Sequence, residues 1–133
     1  MLSLRTTSVL LIAAAGLAAI DDPVHTSSGL ISGTAGSSAG VRVYKGIPYA
    51  APPVGELRWK APKAPASWQG VKQATQFSPV CEQTPYPKTS IYYTEDPSMS
   101  EDCLYLNVWT TAKSNRERRP VMVWIHGGAL TRG

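Results

Sequence analysis

The sequence predicts an α/β fold, present as its strands without their helices, and three observations point that way. Residues Val121 to Ile125 form an unbroken apolar run, VMVWI, of the kind that fits a strand covered on both faces in a parallel sheet. Two other segments, Val41 to Lys45 and Cys103 to Thr111, alternate apolar with polar or aromatic residues at the two-residue period of a half-buried strand. No stretch shows the helical period of an amphipathic helix, and no segment repeats. The 133 residues make one domain at most, and 43% hydrophobic with 17% charged residues is ordinary for a globular chain.

Each element follows from its residues. Met1 to Arg5 give a short basic start, Val9 to Ile20 are apolar, and the small residues Gly16, Ala18 and Ala19 precede Asp21 and Asp22. That is the pattern of an export signal over residues 1–20, with cleavage near Ala18 or Ala19 and a domain from 21 to 133. The expected destination is extracellular or periplasmic. At 1.5 Å per residue the apolar run spans about 18 Å as a helix, short of the roughly 30 Å of a bilayer core, so no stable membrane span is expected. Val24 to Gly40, rich in glycine and serine around Leu30 and Ile31, suggests a small hairpin with a loose tip. The strand from Val41 is expected to end at Gly46 to Pro48. Ile47 to Pro65 is rich in proline, and the missing backbone donors exclude helix and central strand. This segment should run extended along the surface, pinned by its aromatics, Trp59 among them. Residues 82–100 read as an irregular loop carrying Tyr86, Tyr92 and Tyr93.

The net charge of +4 gathers in Lys113, Arg116, Arg118 and Arg119. No aromatic side chains interleave with these charges to stack on bases, so a solvated connector between strands is expected and no nucleic-acid partner. Asp21 with Asp22, and Glu95 with Asp96, read as solvated charge in loops. Two distant histidines, His25 and His126, and no clustered carboxylates give no metal site, and no glycine loop followed by lysine suggests a nucleotide, so no cofactor is expected. The two cysteines, Cys81 and Cys103, are an even count for an exported chain, which favours a bridge over two buried thiols.

The chemistry gathers in Val121 to Gly133, VMVWIHGGALTRG. Here the end of a buried strand opens into His126, Gly127, Gly128 and Ala129, where ligand sites in open α/β sheets form. Consecutive glycines let the backbone turn with its N–H groups aimed into a crevice, and such donors suit an oxygen that gains negative charge during acyl transfer. By spacing alone the run is equally a plain strand-ending turn.

That run resembles the HGGG-type oxyanion segment of lipases and esterases. Three further segments are similar, in the same order, to the type B carboxylesterase and cholinesterase family: SSGLISG at Ser27 to Gly33, YKGIPYAAPPVGELRWKAP at Tyr44 to Pro62, and SEDCLYLNVW at Ser100 to Trp109. The resemblance implies the N-terminal part of an α/β-hydrolase fold: edge strands, a disulfide loop and the first central strand. It places oxyanion donors on the backbone N–H groups of Gly128 and Ala129, with Gly127 shaping the turn and His126 ordering the loop. It pairs Cys81 with Cys103 and makes Arg58 and Glu101 an ion pair. The implied reaction is hydrolysis of a small-molecule carboxylic ester through a serine acyl-enzyme. Nucleophile, acid and base would all lie beyond Gly133, so the 133-residue chain by itself is expected to be inactive. In this family the loop from Glu82 to Ser100 borders the mouth of the site. A non-catalytic adhesion or binding module of the same fold is the alternative; a serine elbow, an acid and a histidine beyond residue 133 would distinguish the enzyme.

Gly36 to Gly40, GSSAG, satisfies the G-x-S-x-G pattern of a nucleophile elbow at Ser38. That pattern has meaning between a buried strand and a helix and after the oxyanion loop. Ser38 stands in neither place and reads as a polar hairpin tip.

Overall fold

The computed structural model describes residues 20–93, 95, 98–114 and 116–132. The export-signal segment up to Ala19, and Asp96 of the loop pair, lie outside these residues. Among the described residues six strands form two three-stranded sheets: β1 (Val24–His25), β2 (Leu30–Ser32), β3 (Thr34–Ala35), β4 (Arg42–Pro48), β5 (Val71–Gln73) and β6 (Tyr105–Thr110). The described residues hold one 3-10 turn, Gly55–Leu57, and no α-helix.

In the first sheet β2 lies between β1 and β5. It pairs antiparallel with β1, Val24 opposite Ile31, and parallel with β5, Ile31 opposite Lys72. In the second sheet β4 pairs antiparallel with both β3 and β6. The glycine- and serine-rich stretch therefore makes two tight turns rather than one hairpin. The second turn closes through the Gly36 N–H donating to the Val41 carbonyl (2.8 Å) and the Val41 N–H to the Ser38 carbonyl (3.2 Å).

Strand β4 does not stop at Gly46. A register irregularity lies between Tyr44 and Ile47, and Gly46 at its centre has φ +66. Its N–H donates to the Asn107 side chain (3.0 Å), so the bulge keeps a partner and pairing resumes to Pro48. Proline is tolerated there because the ladder ends at that residue.

The sheets meet at Ala74, which is 1% exposed. Its N–H donates to the carbonyl of Ser32, the last residue of β2, and its carbonyl accepts from the Lys45 N–H of β4, both at 2.7 Å. Ile31, Tyr44 and Ala74 form the centre of the core, with Ile20, Val24, Ile47 and Trp68 packed against it. The Trp68 indole also donates to the Leu30 carbonyl (2.7 Å), and a side chain on Gly29 would collide with that ring. Ile20, whose N–H donates to the Ala112 carbonyl, belongs to this body.

Three expectations are corrected. Val121 to Ile125 joins neither sheet, and every residue in it is at least 76% exposed. An apolar run becomes a strand when neighbours take up its N–H and C=O groups, and no described strand lies beside it. Trp59 does not pin the proline-rich segment: it is fully exposed, with φ 58. The segment is held by the Ala51 N–H to the Lys63 carbonyl and by Arg58, whose guanidinium meets the Glu101 carboxylate through two hydrogen bonds of 2.5 Å. Nor is Asp22 simply solvated. It accepts from the Ser32 hydroxyl (2.6 Å), the Gly33 N–H (3.2 Å) and Arg42 (2.5 Å), fastening the chain's entry to both sheets.

The basic connector is fastened at its one acidic residue. Glu117 accepts from Arg119 (2.6 Å) and from the Lys113 N–H (2.9 Å).

Candidate active site

The site is built between the loop tied by the cysteines and the glycine segment after Ile125. Cys81 and Cys103 are joined in a disulfide, 22 residues apart. The same base is closed by a parallel bridge between Val80 and Met99, through the Val80 N–H to the Ser98 carbonyl and the Ser100 N–H to the Val80 carbonyl. The Arg58 ion pair reaches Glu101 two residues before the second cysteine. Hydrogen bonding from Arg58 holds the Glu101 carboxyl below the usual glutamate range. Sequence, disulfide, bridge and ion pair thus fix one edge of the site.

The other edge is His126 to Arg132. Gly128 has φ +125, and Ala129 and Leu130 follow at φ 54 and 62. The Gly128 carbonyl accepts from the N–H groups of Thr131 (3.1 Å) and Arg132 (3.2 Å) and from the Thr131 hydroxyl (3.1 Å). The segment therefore curls on itself so tightly that a Cβ at Gly128 would run into the Arg132 carbonyl. Only glycine meets both demands. The His126 ring packs back on its own loop, with Nδ1 2.8 Å from the Gly127 carbonyl oxygen.

Two cavities lie between these edges, of about 580 and 440 Å³. Val80, Gln83, His126 and Arg132 line both. The smaller is walled by Gly127 and Gly128 on one side and by Pro85, Tyr86, Tyr92 and Met99 on the other. Ala129 stands outside both linings. Among the described residues, the N–H groups of Gly127, Gly128 and Ala129 donate to no protein acceptor. The larger cavity reaches Tyr105, whose phenol is pushed up by burial and by its hydrogen bond with Asp102.

The geometry brings His126 together with Cys81 and Cys103 around the larger cavity and with Gly127 and Gly128 around the smaller, whereas Arg58 and Glu101 pair with each other and line neither. Ser38 is exposed at the turn between β3 and β4, with no histidine among its hydrogen-bond partners. Among the described residues no group of three or more potential metal ligands occurs, and no helix is long and apolar enough to cross a membrane. No sequence motif singles out Arg132, although it sits in the same short segment as the glycines.

Comparison with known proteins decides the family. The profile described as the carboxylesterase family matches residues 21–133. The chain belongs to the carboxylesterase family. Over 110 residues it is 48% identical to the para-nitrobenzyl esterase of Bacillus subtilis (strain 168), covering 83% of this chain and 22% of that protein. Over 131 residues it is 41% identical to the liver carboxylesterase of Sus scrofa, covering 90% of this chain and 23% of that one. A solved PNB esterase structure superposes with a TM-score of 0.71 at 50% identity, over 83% of this chain and 22% of that chain. The carboxylesterase segment here thus spans about a fifth of the length of the curated relatives it matches.

Proposed function

We propose that this chain is the N-terminal portion of a secreted serine carboxylic ester hydrolase of α/β-hydrolase fold, and that it supplies the oxyanion loop. The observation that carries this reading is the set of unpartnered backbone N–H groups at Gly127, Gly128 and Ala129, two of whose residues line a cavity. In acyl transfer the ester carbonyl oxygen becomes negative as a nucleophile adds, and donors already fixed in place stabilise that charge without reorganising. Gly128 and Ala129 act as donors, Gly127 shapes the turn, and His126 steadies it through its contact with the Gly127 carbonyl. The serine, its acid and its base lie outside this match, which covers 22% of the Bacillus subtilis relative. Small-molecule esters are the substrates, and no cofactor takes part. Export is supported by the signal pattern before Asp21 and by the disulfide.

The test is hydrolysis of p-nitrophenyl butyrate by the complete protein and its Gly128→Ala variant. Displacing one oxyanion donor should lower kcat about 100-fold or more. Wild-type activity that Gly128→Ala leaves intact, or an unmodified protein that binds the ester without cleaving it, would overturn the assignment.

A further inference from the structure

Arg132 borders both cavities, half-buried, with its guanidinium carbon 4.3 Å from the centre of the Tyr86 ring. The Tyr86 ring in turn leans on Tyr92, centroids 5.5 Å apart, so the guanidinium is held against an aromatic wall rather than free in solvent. Every other guanidinium or ammonium that forms an ion pair here does so elsewhere: Arg42 with Asp22, Arg58 with Glu101, Arg119 with Glu117. Among the described residues Arg132 meets no carboxylate. Glu82 lines the larger cavity, whereas the smaller one, shared with Gly127 and Gly128, has no acidic side chain in its described lining.

A planar cation fixed by stacking, unneutralised and set beside unpartnered backbone donors, is built to receive an anion. The oxyanion of the reaction is already served by the backbone. We infer that Arg132 binds a second, ionised carboxylate on the substrate, so that the enzyme favours esters bearing a free carboxylate over neutral esters of the same size. Arg132 is thus a specificity residue, and Tyr86 positions it. This inference rests on the esterase reading above.

The experiment compares kcat/KM of the complete protein on p-nitrophenyl butyrate, on the mono-p-nitrophenyl ester of glutaric acid and on 4-carboxyphenyl butyrate. Water cleaves the acyl–oxygen bond in each, releasing the phenol and the acid. The two charged esters carry the carboxylate on the acid and alcohol sides respectively. Preference for at least one charged ester over the neutral one is expected, and the charged-to-neutral ratio should fall about ten-fold in Arg132→Gln, the size of one charge-assisted hydrogen bond. Arg132→Lys should recover part of it, and Tyr86→Leu, which leaves the charge but removes its platform, should lower it too. A wild-type enzyme that cleaves the neutral ester with no preference for either charged one, or a ratio that Arg132→Gln and Tyr86→Leu both leave unchanged, would overturn the role of Arg132 alone. Absence of cleavage of all three esters would instead remove the esterase reading beneath it.

Discussion

Asp22 shows how much a single side chain can organise. Partial burial pushes its carboxyl up, but hydrogen bonds from Ser32 and Gly33 and the charge of Arg42 outweigh that and bring it below the ordinary aspartate value. A carboxyl depressed in the folded state stabilises the fold fully above its unfolded value near 4, and that stability is lost as pH falls through the depressed value. We expect the complete protein's urea midpoint to drop as pH is lowered from about 5 towards 3, and Asp22→Asn to flatten part of that slope. At neutral pH the same substitution should cost about 1 kcal/mol, since three donors lose an ionised acceptor that is still partly open to water. Equal pH slopes for both proteins would refute the role given to Asp22. The sequence alone marks Asp22 as solvated charge because its partners lie 10 to 20 positions away, across two strands. No local pattern encodes a contact of that kind.

At the scale of elements, the disulfide loop and the glycine segment depend on each other. The cysteines close a loop over a separation of 22 residues, which on the chain-entropy account stabilises the fold by about 3 kcal/mol. Replacing both, Cys81→Ser with Cys103→Ser, should therefore lower the thermal midpoint of the complete protein and make residues 82–100 the first site of limited proteolysis. An unchanged cleavage pattern would mean that the Val80–Met99 bridge and the Arg58–Glu101 pair suffice alone. This pairing and the Arg58–Glu101 ion pair were legible because the family resemblance carries each on a short ordered motif. Strands β4 and β6 were legible as elements, pairing with Tyr44 opposite Val108, but the half-buried face expected of β6 does not form, since Leu106 to Trp109 are all exposed. Less visible were β3 and β5, two and three residues long, which are too short to show a period. The continuation of β4 past Gly46 was hidden because a bulge depends on a distant acceptor, Asn107, and not on the residues that bend.

The whole molecule is governed by the mismatch between what the chain wants to bury and what it has to bury it with. Among the described residues the buried hydrophobic ones are Ile31, Val43, Tyr44, Ala50, Ala74 and Ala112, and half of them are alanines. Apolar burial stabilises at about 25 cal/mol per Å², while ordering each residue costs about 1–2 kcal/mol, so a core of this size leaves little margin. Meanwhile Val121, Met122, Val123, Trp124 and Ile125 are all exposed, as is Trp109 on β6. The apolar run that the sequence marks as a covered strand is thus a real demand left unmet among the described residues. An extended apolar edge with free N–H and C=O groups is a template for pairing with another copy. The 133-residue chain expressed by itself should therefore sediment as oligomers or aggregates, with no cooperative calorimetric transition, and hydrolyse no p-nitrophenyl ester. Val123→Lys, placing a charge in the middle of that edge, should raise the soluble fraction several-fold without creating activity. A soluble monomer that melts cooperatively with Val121 to Ile125 unaltered would show that this segment is stable without neighbours. It would then no longer follow that the oxyanion loop depends on a surrounding sheet to hold it in place.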